Sequence, residues 1–178
     1  MANKILIVVD MQYDFTYGSL KNQEAIHIIP RVVEKIKNYD GEIIFTQDTH
    51  TDDYINTQEG RKLPVPHCIR GTEGWKIVEP LEKLQKELDC EVIEKPTFGS
   101  VALMDAIIKK SKENRLEEVE LVGVCTDICV ISNAMLIKAA LPEITVKVDA
   151  DCCAGVTPQS HQVALKAMMA CQIEVNEE

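Results

Sequence analysis

Aromatic residues are scarce in this chain, 4% of its 178 residues with one Trp, so any core must be built from aliphatic side chains. Long apolar runs are missing as well. None approaches the ~20 residues that a membrane-spanning helix requires, and the run at 5–9 is cut short by Asp10, too early for the apolar segment of an export signal. No Lys/Arg cluster breaks an acidic background of formal net charge -10, which would repel a phosphate backbone and argues against nucleic acid as a partner. Repeats, low-complexity tracts and linkers are absent too. These absences point to a cytoplasmic protein with no membrane partner. What is present, 46% hydrophobic and 27% charged residues, is the composition of an ordinary folded protein. One domain over 1–178 is expected, large enough to bury roughly 70% of the surface its unfolded chain exposes. The seven cysteines are odd in number and irregularly spaced. Without an export signal they read as reduced thiols, with catalysis or metal binding as their chemical options.

Short β-branched runs alternate with amphipathic stretches, the pattern of an α/β protein with a mostly parallel six-stranded sheet in three layers. The strands are expected at 4–9, 42–46, 90–94, 118–123, 144–148 and 172–175, and their continuous apolar character suits burial on both faces. Pro30 is placed as a first helical residue ahead of Val32, Val33 and Ile36. Ser100 can cap a helix burying Val101, Met104, Ile107 and Ile108, and Thr157-Pro158 begins another that turns Ala164, Leu165, Met168 and Met169 inward. The stretch 47–75 is too long and polar for a routine connection, and loops of that length are usually functional.

In open parallel sheets ligands bind beyond the carboxyl ends of the strands. Asp10 follows the first strand, Asp48 and His50 the second, Lys95 the third, Cys125 and Cys129 the fourth, and Asp149 and Asp151 the fifth. That set suggests an active site of Asp, Lys and Cys. In GVCTDICV, with Thr126 or Asp127 as N-cap, Cys129 falls in the first helical turn, where the helix dipole and a nearby Lys ammonium would lower its thiol pKa. Asp10 could accept the thiol proton, while Lys95 compensates charge. The backbone N–H groups of Cys125 and Cys129 could form an oxyanion hole. A buried packing cysteine is the plainer reading of Cys129, and a Cys125/Cys129 redox pair has unusual spacing. Cys68, Cys90, Cys152, Cys153 and Cys171 read as structural, His27 and His161 as surface or packing residues, and Trp75 as a cover for the long loop. Asp48 and His50, with Glu59 and His67 folded back from the loop, offer carboxylate and imidazole ligands suited to Zn, Fe or Mn. Exposed loop carboxylates and histidines are the alternative.

Taken together, VVDMQYDF, DTH, PHCIRGTEGW, EKPTFGS and GVCTDICV resemble, in order and spacing, the isochorismatase-like cysteine hydrolases over nearly the whole chain. The resemblance implies a Rossmann-like three-layer fold, a catalytic triad of Asp10, Lys95 and Cys129, and a cis peptide between Val124 and Cys125. Asp48, His50, Glu59 and His67 look like the metal ligands of the nicotinamidase branch, in the variant where a Glu supplies the third protein ligand. That branch converts nicotinamide to nicotinate and ammonia with a divalent metal, Zn first among the candidates. Pro64 stands where its members often carry a stacking Trp, leaving Phe15 and Phe98 as aromatic candidates for the substrate pocket. Ureido or carbamoyl amidohydrolases and isochorismatases are the neighbouring alternatives, and a binding protein on the same fold is the non-enzymatic one. The family also implies self-association.

Overall fold

Side chains on alternate faces of the first strand are both apolar in KILIVV, so this strand can only sit inside a sheet covered on both sides. The computed structural model of the chain describes residues 3–176 and places it there. The strands are β1 (Lys4–Val9), β2 (Glu42–Asp48), β3 (Glu91–Lys95), β4 (Glu118–Val124), β5 (Thr145–Ala154) and β6 (Glu174–Asn176). All pairs are parallel, in the order β3-β2-β1-β4-β5-β6. The helices are α1 (Tyr13–Thr16), α2 (Gln23–Asn38), α3 (Gln58–Lys62), α4 (Glu79–Glu87), α5 (Val101–Asn114), α6 (Ile131–Ala140) and α7 (Pro158–Ala170). From β1, Leu6 and Val8 pack with Val32 and Ile36 of α2 and Leu81 of α4. Ile5, Ile7 and Val9 pack on the other face with Leu103 and Ile107 of α5, Ala134 and Ile137 of α6, and Leu165 and Met168 of α7. The result is the expected three-layer α/β sandwich, its core almost wholly aliphatic. No helix among the described residues is long and apolar enough to cross a membrane.

The chain builds outward from β1 through β2 to β3, then returns to the other side of β1 with β4. The carboxyl ends of β1 and β4 therefore flank the point where strand order reverses, the place where open parallel sheets bind ligands.

Several element boundaries differ from the sequence reading. Strand β5 runs on to Ala154, so Asp149 and Asp151 lie within it and not beyond its end. Their side chains alternate with the buried Val148 and Ala150 and meet cations of α2: Lys35 Nζ is 2.8 Å from Asp149 and 2.7 Å from Glu120, and Arg31 is 3.0 Å from Asp151. Alternating polarity disguised the strand. Helix α2 starts seven residues before Pro30, capped by the Asn22 side chain on the Glu24 amide, and Pro30 sits exposed within it. In α5, capped by Ser100 as expected, Leu103 and Ile107 are buried while Val101 is 59% exposed. Helix α7 opens on the Thr157–Ser160 capping box. The segment after β2 is folded, with a 3-10 turn at Tyr54–Asn56, α3, and a parallel bridge joining His50 to Ile69.

Gly123 is where β4 must be glycine. Its φ is +115°, and a Cβ there would lie 2.2 Å from the Val9 carbonyl oxygen of β1, beside the register shift between β4 and β5. Gly123→Ala is expected to lower stability by about 1–3 kcal/mol from backbone strain alone, and more from the clash with main chain. Urea denaturation of the variant against wild type measures it; an unchanged midpoint would contradict the packing described.

Candidate active site

Asp10 follows β1 in the left-handed region, φ +49°. That turn aims its carboxylate back over the strand ends. The Thr46 hydroxyl of β2 donates to Asp10 Oδ1 at 2.6 Å and accepts from the Asp10 amide at 3.2 Å. Lys95, the last residue of β3, is fully buried. Its Nζ lies 2.6 Å from Asp10 Oδ2 and 3.3 Å from Asp48 Oδ1, and donates to Cys129 Sγ at 3.4 Å and to the Thr97 carbonyl at 3.1 Å. Asp10, Lys95 and Cys129 thus meet in one buried cluster, as their positions after β1, β3 and β4 suggested.

The electrostatics differ from the sequence reading in one respect. Burial pushes the Cys129 thiol well above its ordinary pKa, and the Asp10 carboxylate, which the thiol hydrogen-bonds, adds to the rise; Lys95 opposes them and loses. The expected depressed thiol pKa is therefore wrong for the resting site, and Cys129 is held as a neutral thiol against a base. Burial also raises the Asp10 pKa, with Lys95 pulling it down. Lys95 itself stays charged: burial works against the ammonium, but Asp10, Cys129 and Asp48 outweigh it.

Cys129 lies in a π-helical turn, Thr126–Val130, that leads into α6. Neither Thr126 nor Asp127 caps it. Cys125 takes the cap position without a side-chain bond, after a cis Val124–Cys125 peptide. Thr126 instead hydrogen-bonds His161 Nδ1 at 2.8 Å, and Asp127 accepts from the Val156 amide at 3.0 Å, so the turn is tied to the start of α7. Asn133 of α6 donates to the Cys129 carbonyl and accepts from the Ser100 amide, joining the turn to the chain beyond β3. The Cys125 thiol is itself pushed up to about 12 by burial, with Asp127 and Asp10 adding, which disfavours thiolate-based redox exchange with Cys129.

The second cluster adjoins the first through Asp48. Donor atoms of Asp48, His50 and His67 all lie within 4.8 Å of one another, and Glu59 Oε1 is 3.7 Å from His50 Nε2 and 3.6 Å from His67 Nε2. His50 Nε2 is buried and has no hydrogen-bond partner of good geometry among the described residues, although Asp48 Oδ2 is 3.0 Å away. His67 Nδ1 is 2.8 Å from the Val65 carbonyl; a carbonyl can only accept, so the proton is on Nδ1 and the Nε2 lone pair is left free toward the cluster. Two imidazoles and two carboxylates presented in this way fit a divalent transition metal.

Phe15 stands beside this cluster, its ring 5.7 Å from that of His67. Phe98 is 48% exposed on the segment after β3, its carbonyl held by Asn133. Trp75 locks the long loop, donating to Thr49 Oγ1 while its carbonyl accepts from Gln12 and Gln47. Gln12 was not foreseen. Fully buried, it accepts from the Asp48 amide and donates to the Asp48 carbonyl, fixing that residue from both sides. Asp14 likewise accepts from the Cys68 amide at 2.8 Å and seats the residue after His67. Their place within VVDMQYDF, at two-residue spacing after Asp10, was the available signal.

Comparisons with known proteins bear on the family and the fold. A family model described as the isochorismatase domain matches residues 4–177. An uncharacterised isochorismatase family protein of Bacillus subtilis (strain 168) is 32% identical over 143 residues, covering 74% of this chain and 76% of that protein. Among solved structures, a nicotinamidase/pyrazinamidase of Bacillus subtilis superposes with a TM-score of 0.84 at 28% identity, over 99% of this chain and 100% of its own. A pyrazinamidase of Pyrococcus horikoshii in complex with zinc gives 0.81 at 26% identity, over 99% of each chain.

Replacing Lys95 by Met keeps volume but leaves Asp10 and Asp48 as uncompensated buried carboxylates. Lys95→Met is expected to cost about 3–5 kcal/mol at pH 7. Without the ammonium both carboxylate pKa values rise, so protonation removes the unpaired charge and the deficit against wild type shrinks as pH falls toward 5. Urea denaturation of both proteins at the two pH values tests this; a deficit that grew on acidification would contradict it.

Proposed function

Because this chain belongs to the isochorismatase domain family, we propose that it is a cysteine amidohydrolase acting on a small aromatic primary amide, converting nicotinamide to nicotinate and ammonia. The observation that carries the reading is the meeting of Lys95 Nζ with Asp10 Oδ2 at 2.6 Å and with Cys129 Sγ at 3.4 Å in a buried site. A thiol, a base and a fixed cation are the parts that acyl transfer through a thioester needs.

Asp10 takes the proton of the Cys129 thiol as the sulfur attacks the amide carbonyl. The raised pKa of Asp10 makes its carboxylate a stronger base than an ordinary one, and Lys95, in contact with both groups, stays beside the negative charge as it passes from oxygen to sulfur. The backbone N–H groups of Cys125 and Cys129 receive the developing oxyanion. Collapse of the tetrahedral adduct breaks the carbon–nitrogen bond, Asp10 returns its proton to the departing nitrogen, and ammonia leaves a thioester on Cys129. Water, deprotonated by Asp10, then cleaves the thioester to the acid and regenerates the thiol. Phe15 and Phe98 line the approach.

Asp48, His50, Glu59 and His67 would hold a divalent metal, zinc by preference, because the similar pyrazinamidase of Pyrococcus horikoshii is in complex with zinc. When bound, the ion supplies an electron-pair acceptor for the ring nitrogen of a pyridine-type amide. Asp48 would serve both clusters, since one oxygen faces Lys95 and the other the imidazoles.

Ammonia release from nicotinamide measures the proposal directly. Cys129→Ala is expected to abolish it and Cys125→Ala to reduce it only mildly, since the second position works through its main chain. Metal removal by a chelator is expected to raise KM more than it lowers kcat. Turnover surviving in Cys129→Ala would sink the thioester mechanism, and a KM indifferent to chelation would sink the metal's role in binding.

The acid limb of kcat/KM should report Asp10, which must be anionic to accept the thiol proton. Its pKa is raised by burial, so activity is expected to fall away, as pH drops, at a value above the usual carboxylate range. A pH–rate profile at fixed ionic strength checks this; a limb at or below that range would assign the base elsewhere.

A further inference from the structure

The two imidazoles of the second cluster are not held by hydrogen bonds alone. Tyr54, from the 3-10 turn between β2 and α3, is 1% exposed, and its ring stands edge-on to both of them. The centroid distances are 4.8 Å to His50 and 4.9 Å to His67, and the two imidazoles are 4.9 Å from each other, all three pairs tilted by 62–74°. Packed edge to face at these distances, the three rings restrict the turning of either imidazole about its Cβ–Cγ bond.

The same residue governs the third ligand. The Tyr54 hydroxyl donates to the Leu63 carbonyl at 2.9 Å, and the Leu63 amide donates to the Glu59 carbonyl at 2.8 Å. The Tyr54 carbonyl accepts from the Thr57 amide and hydroxyl at 2.9 and 2.7 Å, and Thr57 in turn caps α3 through the Gly60 amide. A Cβ at Gly60 would lie 2.1 Å from the Tyr54 carbonyl oxygen, so the first turn of α3, which carries Glu59, rests directly on the Tyr54 main chain. Both ends of that short helix are therefore fastened to one tyrosine.

We propose that Tyr54 is the positioning residue of the metal site, its ring fixing the rotamers of His50 and His67 and its hydroxyl and carbonyl fixing the helix that presents Glu59. The proposal rests on the metal reading of this cluster given above. It assigns Tyr54 no contact with substrate or metal.

Zinc affinity, measured by competition with a chromophoric chelator, tests it independently of turnover. Outer residues that orient metal ligands typically contribute 10–100-fold in affinity. Tyr54→Leu, which removes the ring edges and the hydroxyl, is expected to weaken zinc binding by about that factor. Tyr54→Phe, which keeps the ring and loses only the tie to Leu63, should show a smaller loss, several-fold, and Co2+ substituted into it should show a shifted visible spectrum as Glu59 moves. A merely structural role would lower the melting temperature of the metal-free protein while leaving the affinity of the folded fraction unchanged, and that result overturns the proposal. Should Tyr54→Leu not fold, wild-type affinity and spectrum in Tyr54→Phe overturn it equally. If the wild-type protein itself binds no zinc, the metal reading falls and this proposal with it; if wild type binds and both variants match it, only this proposal falls.

Discussion

One buried ammonium conditions the rest of the site. Lys95 lies among two carboxylates and a thiol, and taking such charges out of water costs several kcal/mol per ion unless they are paired at close range. The parallel register makes the pairing possible. Asp48 and Lys95 are direct partners across β2 and β3, and β1 delivers Asp10 one strand further in. Moving any of these strands by one residue would send a side chain to the opposite face of the sheet and strand a charge in the core. Sheet register and site chemistry are thus one constraint, and the aliphatic packing on both faces of β1 is what holds the register.

The chain's main outlines could be read from residues alone because they depend on local patterns. Continuous apolar runs announced the central strands, and reading what followed each strand assembled Asp10, Lys95, Cys129 and the Asp48–His50 pair without knowledge of contacts. Where the reading went astray, a tertiary effect had overridden a local one. Strand β5 appeared to stop at Val148 because Asp149 and Asp151 broke the apolar run, yet Lys35 and Arg31 of α2 supply their counter-charges. Pro30 looked like a helix start, but Asn22 had already capped one. The Cys129 pKa was misjudged because a helix dipole and a lysine can be inferred from sequence while the degree of burial cannot, and burial dominates. Gln12 and Tyr54 escaped notice for a related reason: a buried amide and a buried phenol look unremarkable until their partners are known.

A neutral resting thiol has a chemical logic. A permanent thiolate beside Lys95 would be stabilised in the ground state as much as in the transition state, and such uniform stabilisation does not lower the barrier. Here burial and Asp10 both favour the protonated sulfur, so on the mechanism proposed above negative charge develops on it only as the proton moves and the carbonyl closes in. The fixed ammonium then acts on charge that exists only during the reaction, in surroundings of low dielectric where it needs no reorganisation.

The two clusters also differ in how they are mounted, and the difference separates chemistry from selection. Asp10 and Lys95 stand at or just beyond the ends of β1 and β3, and Cys129 in the turn that leads out of β4, so all three are placed by the ladders of the sheet. His50, Glu59 and His67 sit on the excursion between β2 and α4, held by Tyr54, Trp75, Asp14 and the isolated His50–Ile69 bridge and not by the ladders of the main sheet. Loops accept substitution and insertion far more readily than core strands, so what this segment carries can change without disturbing the register that positions Asp10, Lys95 and Cys129. Asp48 alone belongs to both mountings. It is fixed in the sheet by Gln12 and offered to the loop by its second oxygen, and through it a change of charge in the loop cluster would reach the ammonium that Asp10 and Cys129 contact.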